Sequence, residues 1–556
     1  MSESEPQSTE PFSNNIYSNQ LYHGASTTCH MMSSVVTVKY TPEKGRHLCA
    51  VEDIPAGALL MDETPYAYCV YDQCSPYFCQ NCIEPIEADA NVYKCEKCHD
   101  DMVIYCSESC RDASWQMFHQ FDCGDTRRLL QCVGLRVHSV LLALRIIATQ
   151  NRRDLMSEYE RFVNNNEDQQ NVHPITDLST STNRFASFMQ LLDDDDQTII
   201  LPSDSEPTGL ARLCDFIVEQ LEYGKNPMMF HGWEDSVTIE RRASIIRVML
   251  LAVLKRLSRN RQGILEHRRM VRPEIQQCFK TEVDSHKASA VYPVAVLLNH
   301  SCVPNVYMVF DKGARMQTRA IKSISAGQPL GHCYGPKFSK EPRAERQSLL
   351  RTDYYFDCDC LACTSREYGQ IETEMSAIKC EKCSKFFDIN SDNKCPSCEC
   401  NTTQTRDKVR SLFETLTNLA NETSVSTMQC DRLIGDCEAL EAMCHEHNKQ
   451  LNELRPIVGN ALILNGRASA AEPMLIRHVC TTKRHTGAMS LRTALATSRL
   501  TCVYRETNSD KYWLTAALMI RIHLNHYGPR QVRSLFEQNG LEQFIPAIDI
   551  IENGLV

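Results

Sequence analysis

Between Cys79 and Cys123, eight residues of metal-binding type fall into four pairs: Cys79-x2-Cys82, Cys95-x2-Cys98, Cys106-x3-Cys110 and His119-x3-Cys123. No other feature restricts the folding of this chain as tightly. Two or three residues between ligands let the backbone double back so that both side chains reach one ion, and four such pairs complete two tetrahedral zinc sites. The segment is too short to bury a core of its own, so bound metal must supply its folding free energy. In a secreted chain the same cysteines would read as a disulfide framework. Met1 to Asn19 is polar and acidic and lacks the apolar run of a signal peptide. A cytoplasmic and/or nuclear setting is therefore expected, where thiols stay reduced and the 29 cysteines serve as ligands and packing residues.

The longest apolar stretch, Ile245 to Leu254, is interrupted by Arg247 and followed by Lys255-Arg256. It is too short to span a bilayer and predicts a buried helix, with no membrane partner. The net charge of −11 argues against a broad nucleic-acid surface and suits the binding of basic protein segments. Arg127-Arg128, Lys255-Arg256 and His267-Arg268-Arg269 read as solvated faces.

The pattern along the chain is mixed, and the expected fold class is α+β. Residues 1–34 are polar and expected to be disordered. Residues 35–78 alternate short β-type runs with turn residues such as Gly45 and Pro55-Ala56-Gly57, which reads as hairpins. The cysteine finger takes 79–123. Helical periodicity then occupies 124–287, with an acidic loop at Asp193 to Asp196. β-type sequence returns over 288–335, followed by cysteine-rich segments at 336–365 and 366–404. Residues 405–556 read as a helical, TPR-like lobe without a clean repeat. Two β pieces separated by a finger and a helical insert suggest one β domain interrupted in sequence.

The second β piece carries Asn299-His300-Ser301-Cys302-Val303-Pro304-Asn305, then His332-Cys333-Tyr334-Gly335. Tyr354-Tyr355-Phe356-Asp357-Cys358-x-Cys360-x2-Cys363 follows. An Asn-His pair alone is weak, but the ordered series resembles the SET methyltransferase core followed by its cysteine-rich post-SET segment. Tyr105-Cys106-Ser107, Trp115 and the closing His119-x3-Cys123 resemble a MYND finger. Together they resemble the SET and MYND domain-containing (SMYD) family of lysine methyltransferases. Cys333-Tyr334-Gly335-Pro336 and Tyr354-Tyr355-Phe356-Asp357 are most similar to the branch of its fourth vertebrate member.

This resemblance implies specific roles. In the finger, Cys79, Cys82, Cys106 and Cys110 would hold one zinc ion and Cys95, Cys98, His119 and Cys123 the other. Cys302 would join Cys358, Cys360 and Cys363 in a third site and tie the post-SET loop over the active site. By spacing alone, Cys380-x2-Cys383 and Cys395-x2-Cys398 form a fourth, ribbon-like site, with Cys400 an alternative to Cys398. About four structural zinc ions are expected, from sixteen ligands at four per site. Lys44-Gly45-Arg46-His47-Leu48 matches the first SET motif, which implies that Gly45, Arg46 and His47 lie against S-adenosyl-L-methionine. Asn299 and His300 would hold that cofactor, and Phe356 would pack on it. Tyr334 would act at the reaction centre, and Tyr354 beside the target-lysine channel.

The implied activity is S-adenosylmethionine-dependent protein-lysine N-methylation, on a histone or non-histone protein with an exposed lysine. Alignment matters more than acid–base strength in such a displacement. An aromatic channel would bring the lysine in neutral, and a tyrosine hydroxyl would orient its amine. The motif departs from the family at His47, where a second glycine is usual, and at Val296, where Ser is common. An imidazole at position 47 is expected to crowd the cofactor or to need a backbone angle that only glycine takes easily. The alternative is an inactive SET–MYND adaptor binding proline-rich partners in transcriptional regulation. A monomer is expected in either case.

Overall fold

The computed structural model describes residues 16–126, 129, 137–164, 174–191, 198–199, 208–220, 237–270, 281–420, 427–538 and 541–552. The two β pieces form one sheet. Strand Leu59–Glu63 pairs antiparallel with Met316–Ala320, matching Glu63 with Met316 and Met61 with Thr318, and a bulge follows at Arg319. Val306–Phe310 continues the sheet beyond Met316–Ala320, and Cys29–Ser33 lies against the far side of Leu59–Glu63. An interrupted β domain is what brings residues some 255 positions apart into register, as the Asp62–Gln317 side-chain contact does.

A hairpin of Val36–Thr41 and Gly45–Ala50 docks on the second β piece. There Leu330 N–H donates to the Leu48 carbonyl at 2.8 Å, and Ala50 N–H donates to that of Gln328 at 2.9 Å. One apolar core runs through both β pieces and the helices between them. Helix Val137–Thr149 lies almost wholly inside it, against Ile239–Asn260.

Two sequence expectations change. Cys29–Ser33 is a strand of the main sheet rather than disordered chain, because Cys29, Met31 and Met32 are buried in the core. Residues 1–15, also expected to be disordered, lie outside the described residues, as does the Asp193 to Asp196 loop. Strand structure also returns earlier than the helical periodicity suggests. Gln262–Met270 and Thr281–Val291 form a hairpin that extends Ala67–Val70. Sequence Gln262–Met270 holds only Ile264, Leu265 and Met270 as apolar residues, too few to set a period of two, so cross-strand pairing decides the matter.

The C-terminal lobe is an array in which Lys449–Leu464, Ala468–Thr486, Leu491–Glu506 and Lys511–Gln538 each pack on their sequence neighbour. The last of these also rests on the main sheet, where Gly528 (φ +73°) lies flat on the buried Arg319. Arg319 in turn donates to the carbonyls of Gly57 (2.9 Å) and Ser18 (3.1 Å). Among the described residues no helix is long and apolar enough to cross a membrane.

Candidate active site and metal centres

Four clusters gather the predicted ligands, each with its ligand atoms within 4.8 Å of one another. In the finger, Cys79, Cys82, Cys106 and Cys110 form one cluster and Cys95, Cys98, His119 and Cys123 the other, the crossed pairing. The side chain of Cys82 hydrogen-bonds to Cys79 and pulls its thiol down to about 5, toward the thiolate a metal needs. His119 Nδ1–H donates to Asp122 at 3.0 Å, which leaves Nε2, 3.4 Å from Cys98 Sγ, with the free lone pair of a ligand. Asp122 is fully buried and also accepts from Arg145 Nε at 2.6 Å, while Arg145 donates to the Tyr68 carbonyl. Finger, insert helix and β domain are thus clamped by one charged relay. Sequence reasoning missed Arg145 because its helix reads as uniformly apolar.

The third cluster is Cys302, Cys358, Cys360 and Cys363. Arg346 is buried beside it, donating to Cys363 Sγ at 3.8 Å and to the Ala362 carbonyl at 3.1 Å. A cation there offsets thiolate charge, and no local motif announces it. The fourth cluster is Cys380, Cys383, Cys395 and Cys398. Cys400 Sγ lies 3.4 Å from both Cys380 and Cys398, so the alternative ligand stands inside the same cluster.

The third cluster borders the predicted reaction centre. Asn299–His300 pairs in parallel with Gly331–His332. Gly331 packs tightly there: a Cβ would lie 3.1 Å from that of Ser301 and 3.4 Å from the Asn299 carbonyl, so a larger residue would have to push Ser301 aside. The turn before Asn299 is pinned by Glu63, whose buried carboxylate accepts from the N–H of Val294 (2.6 Å) and Ala295 (3.0 Å). Burial pushes that carboxyl up to about 8 against the pull of those two donors.

His300 Nδ1 accepts the Tyr334 N–H at 3.0 Å, which fixes the proton on Nε2, 3.3 Å from Cys302 Sγ. Its imidazole is therefore committed to holding Tyr334 and the post-SET cluster, and burial pushes it down to about 4, leaving it neutral. The Tyr334 hydroxyl donates to the Leu298 carbonyl at 2.8 Å. The Tyr354 hydroxyl donates to the Tyr334 carbonyl at 3.2 Å, with ring centroids 4.9 Å apart. Tyr354 ends helix Arg343–Tyr354, and Tyr355, in the left-handed region at φ +60°, turns the chain so that Phe356 comes within 6.2 Å of His300. Burial raises the Tyr334 phenol far above its usual range, so it stays protonated.

The first motif is partly corrected. Gly45 takes φ +62° with nothing within 4 Å of an added Cβ, leaving an open backbone edge. Asn299 Nδ2 reaches over it to the Lys44 carbonyl at 3.2 Å. Arg46 turns away from that edge: its guanidinium donates to the Ser187 carbonyl at 2.7 Å, the Ser187 hydroxyl and the Ile175 carbonyl. Its side chain is a tie to the helical insert, available to a cofactor only through its backbone. His47 sits in regular strand backbone opposite Lys39, buried, with Nδ1 3.0 Å from the Gly45 carbonyl. The position does not demand glycine; positive φ falls on Gly45 instead.

An interrupted antiparallel sheet, a parallel Asn299–His300 pairing and a tyrosine pair beside a four-cysteine cluster define a SET domain. The SET domain profile matches residues 45–335, more than half of the chain, and the chain belongs to that family. It is similar to protein-lysine N-methyltransferase SMYD4 of Danio rerio, 26% identical over 500 residues covering 78% of this chain and 64% of that protein. It is also similar to N-lysine methyltransferase SMYD2-B of Xenopus laevis, 26% identical over 340 residues (61% of this chain, 63% of that protein). SMYD2 of Homo sapiens is 24% identical over 341 residues (61% and 62%). The chain spans less than two thirds of the length of each of these relatives.

Proposed function

We propose that this protein is an S-adenosylmethionine-dependent protein-lysine N-methyltransferase whose zinc clusters are structural. The observation that carries the reading is the position of Tyr334, whose backbone is fixed by His300 and whose hydroxyl is fixed by Leu298. The family and the names of its relatives support it.

The residues fit the cofactor. The open edge at Gly45 admits close approach of a ligand to backbone, and Asn299 overhangs that edge. The His300 side chain holds Tyr334, so its contact with the cofactor would be made through its backbone. When bound, S-adenosylmethionine supplies an electrophilic methyl group on a sulfonium.

The Tyr334 hydroxyl spends its hydrogen on a hydrogen bond to the Leu298 carbonyl, so toward a substrate its oxygen can only accept. It would accept an N–H of the incoming amine and leave the amine's lone pair free to point at the methyl carbon. The rings of Tyr334 and Tyr354 lie beside one another and Phe356 lies next to His300. The desolvation of this buried surround, not the ring faces, would disfavour an ammonium and bring the lysine in neutral. Neither tyrosine acts as a base, because both phenols are raised by burial. Proton loss from the lysine to solvent precedes transfer.

The adaptor alternative draws on His47, and regular strand backbone at that residue answers the backbone-angle half of that objection. Calorimetry of the zinc-loaded chain with S-adenosylmethionine tests the reading. Binding that weakens about tenfold or more in Asn299→Ala, as loss of a polar contact requires, supports it. Absence of binding by the unmodified chain overturns it.

A further inference from the structure

A cavity of ≈ 1410 Å³ opens between the post-SET segment and the C-terminal lobe. One wall is Cys302-Val303-Pro304, directly after His300 and Ser301 of the reaction centre; a second comes from residues 337–340 and from Glu367, Tyr368 and Ile371, and the rest from the lobe helices. Small-molecule sites run to about 300–1,000 Å³. This one is larger and suits an extended peptide of several residues.

The charge of its lining reverses that of the protein. The chain has 70 acidic against 59 basic residues. The cavity is lined by nine lysines and arginines against two glutamates, Glu367 and Glu453. These cations come from four separate stretches of chain, so the excess is not one basic helix face. Arg484 is held by Glu374 at 2.7 Å. Among the described residues, Lys337, Lys340, Lys483, Arg492 and Arg505 make no salt bridge, and Arg492 and Arg505 are exposed. Apolar side chains, including Val303, Met489 and Phe544, line the same cavity.

We infer that this cavity is the docking site for an acidic segment of the protein substrate, one in which Asp or Glu alternates with apolar side chains. The inference rests on the lysine-methylation reading for the word substrate; the docking itself does not. It runs opposite to the expectation from net charge that this protein suits basic partners. A concave, low-dielectric site with an excess of one charge sign concentrates the opposite sign and rejects its own. A lysine presented within an acidic sequence would be admitted, and one within a basic tail repelled.

The test is fluorescence anisotropy on the zinc-loaded full chain with labelled peptides of equal length. One contains Asp, Glu and Leu with no lysine, one is its Asn/Gln/Leu isostere, and one is a Lys/Arg/Leu counterpart. The acidic peptide should bind about tenfold or more tighter than its amide isostere and weaken as salt is added. The double variant Arg492→Glu/Arg505→Glu, and separately Lys337→Gln/Lys483→Gln, should lose most of that preference while binding S-adenosylmethionine normally, which shows that they are folded. Equal binding of the acidic peptide and its isostere would overturn the proposal. So would tighter binding of the basic peptide or of an oligouridine, or an acidic-peptide affinity unmoved in both folded double variants. Failure of S-adenosylmethionine binding with the peptide preference intact would sink the methyltransferase reading and leave the docking site standing.

Discussion

The Tyr354 hydroxyl donates to the backbone carbonyl of Tyr334 at 3.2 Å, so the second tyrosine of the site orients the first through its main chain. The Tyr334 ring is then held at three points: its N–H by His300, its carbonyl by Tyr354 and its hydroxyl by Leu298. Tyr334→Phe keeps the first two and removes the group that would orient the amine. Methyl transfer should fall about 100-fold. The S-adenosylmethionine Kd, measured by calorimetry, should stay nearly constant. Equal loss of both would make Tyr334 a cofactor contact only.

The pH dependence follows from which groups titrate. Burial holds both tyrosines protonated above their ordinary range, and burial also keeps His332 neutral, down at about 3. No residue of the tyrosine pair changes charge between about pH 6 and 9. The rate should rise with pH along a limb set by the substrate lysine, and Tyr354→Phe should leave the midpoint of that limb in place. Glu63, raised by burial to about 8, is the site group that titrates within this window. A falling limb below pH 9 that persists in Glu63→Gln would mean that a further protein group must be protonated for turnover.

The relay His119–Asp122–Arg145 sets the stability of the finger. Arg145→Met removes the cation and leaves Asp122 as a buried carboxylate with His119 as its remaining partner. The loss should be about 3–5 kcal/mol, read as a lower Tm and faster zinc release to a chelator. Elemental analysis of the unmodified protein should give about four zinc ions per chain. Two or fewer would remove the ribbon and post-SET assignments.

Gly528 joins the lobe to the sheet. At φ +73°, a Cβ would stand 2.6 Å from the Arg319 guanidinium, itself immobilised on Gly57 and Ser18. Gly528→Ala should destabilise the protein by about 1–3 kcal/mol, through left-handed strain and displacement of a buried cation. Hydrogen exchange should rise over Lys511–Gln538 and Met316–Ala320 together. Unchanged protection in both would show that the lobe does not lean on this contact.

Much of this molecule was legible because its chemistry needs short, fixed spacings. Fifteen of the metal ligands declare themselves by pair or triplet spacing, and with Cys302 their side chains fall into four clusters. Cys302, Asn299, Tyr334 and Tyr354 are read from the resemblance instead, and the structure places the two tyrosines against each other. What stayed hidden depends on pairs distant in sequence. Arg46 matched a cofactor motif, yet Ser187 takes its side chain from 141 residues away. Arg145, Arg346 and Gly528 carry no local signal, since each acts on a residue delivered by another element. His47 misled because the motif places a glycine there, whereas the turn itself requires positive φ only at Gly45. The basic cavity draws on residues from 302 to 544 and cannot be seen in any window of the chain.

The most direct test is transfer itself. The zinc-loaded protein is incubated with a cell extract and S-adenosylmethionine carrying an isotopically labelled methyl group, and lysine peptides are read by mass spectrometry. Labelled methyl-lysine should appear on specific sites with the unmodified protein and be lost with Tyr334→Phe. A protein that binds S-adenosylmethionine yet labels no lysine, or labels the same sites equally well as Tyr334→Phe, would contradict the account.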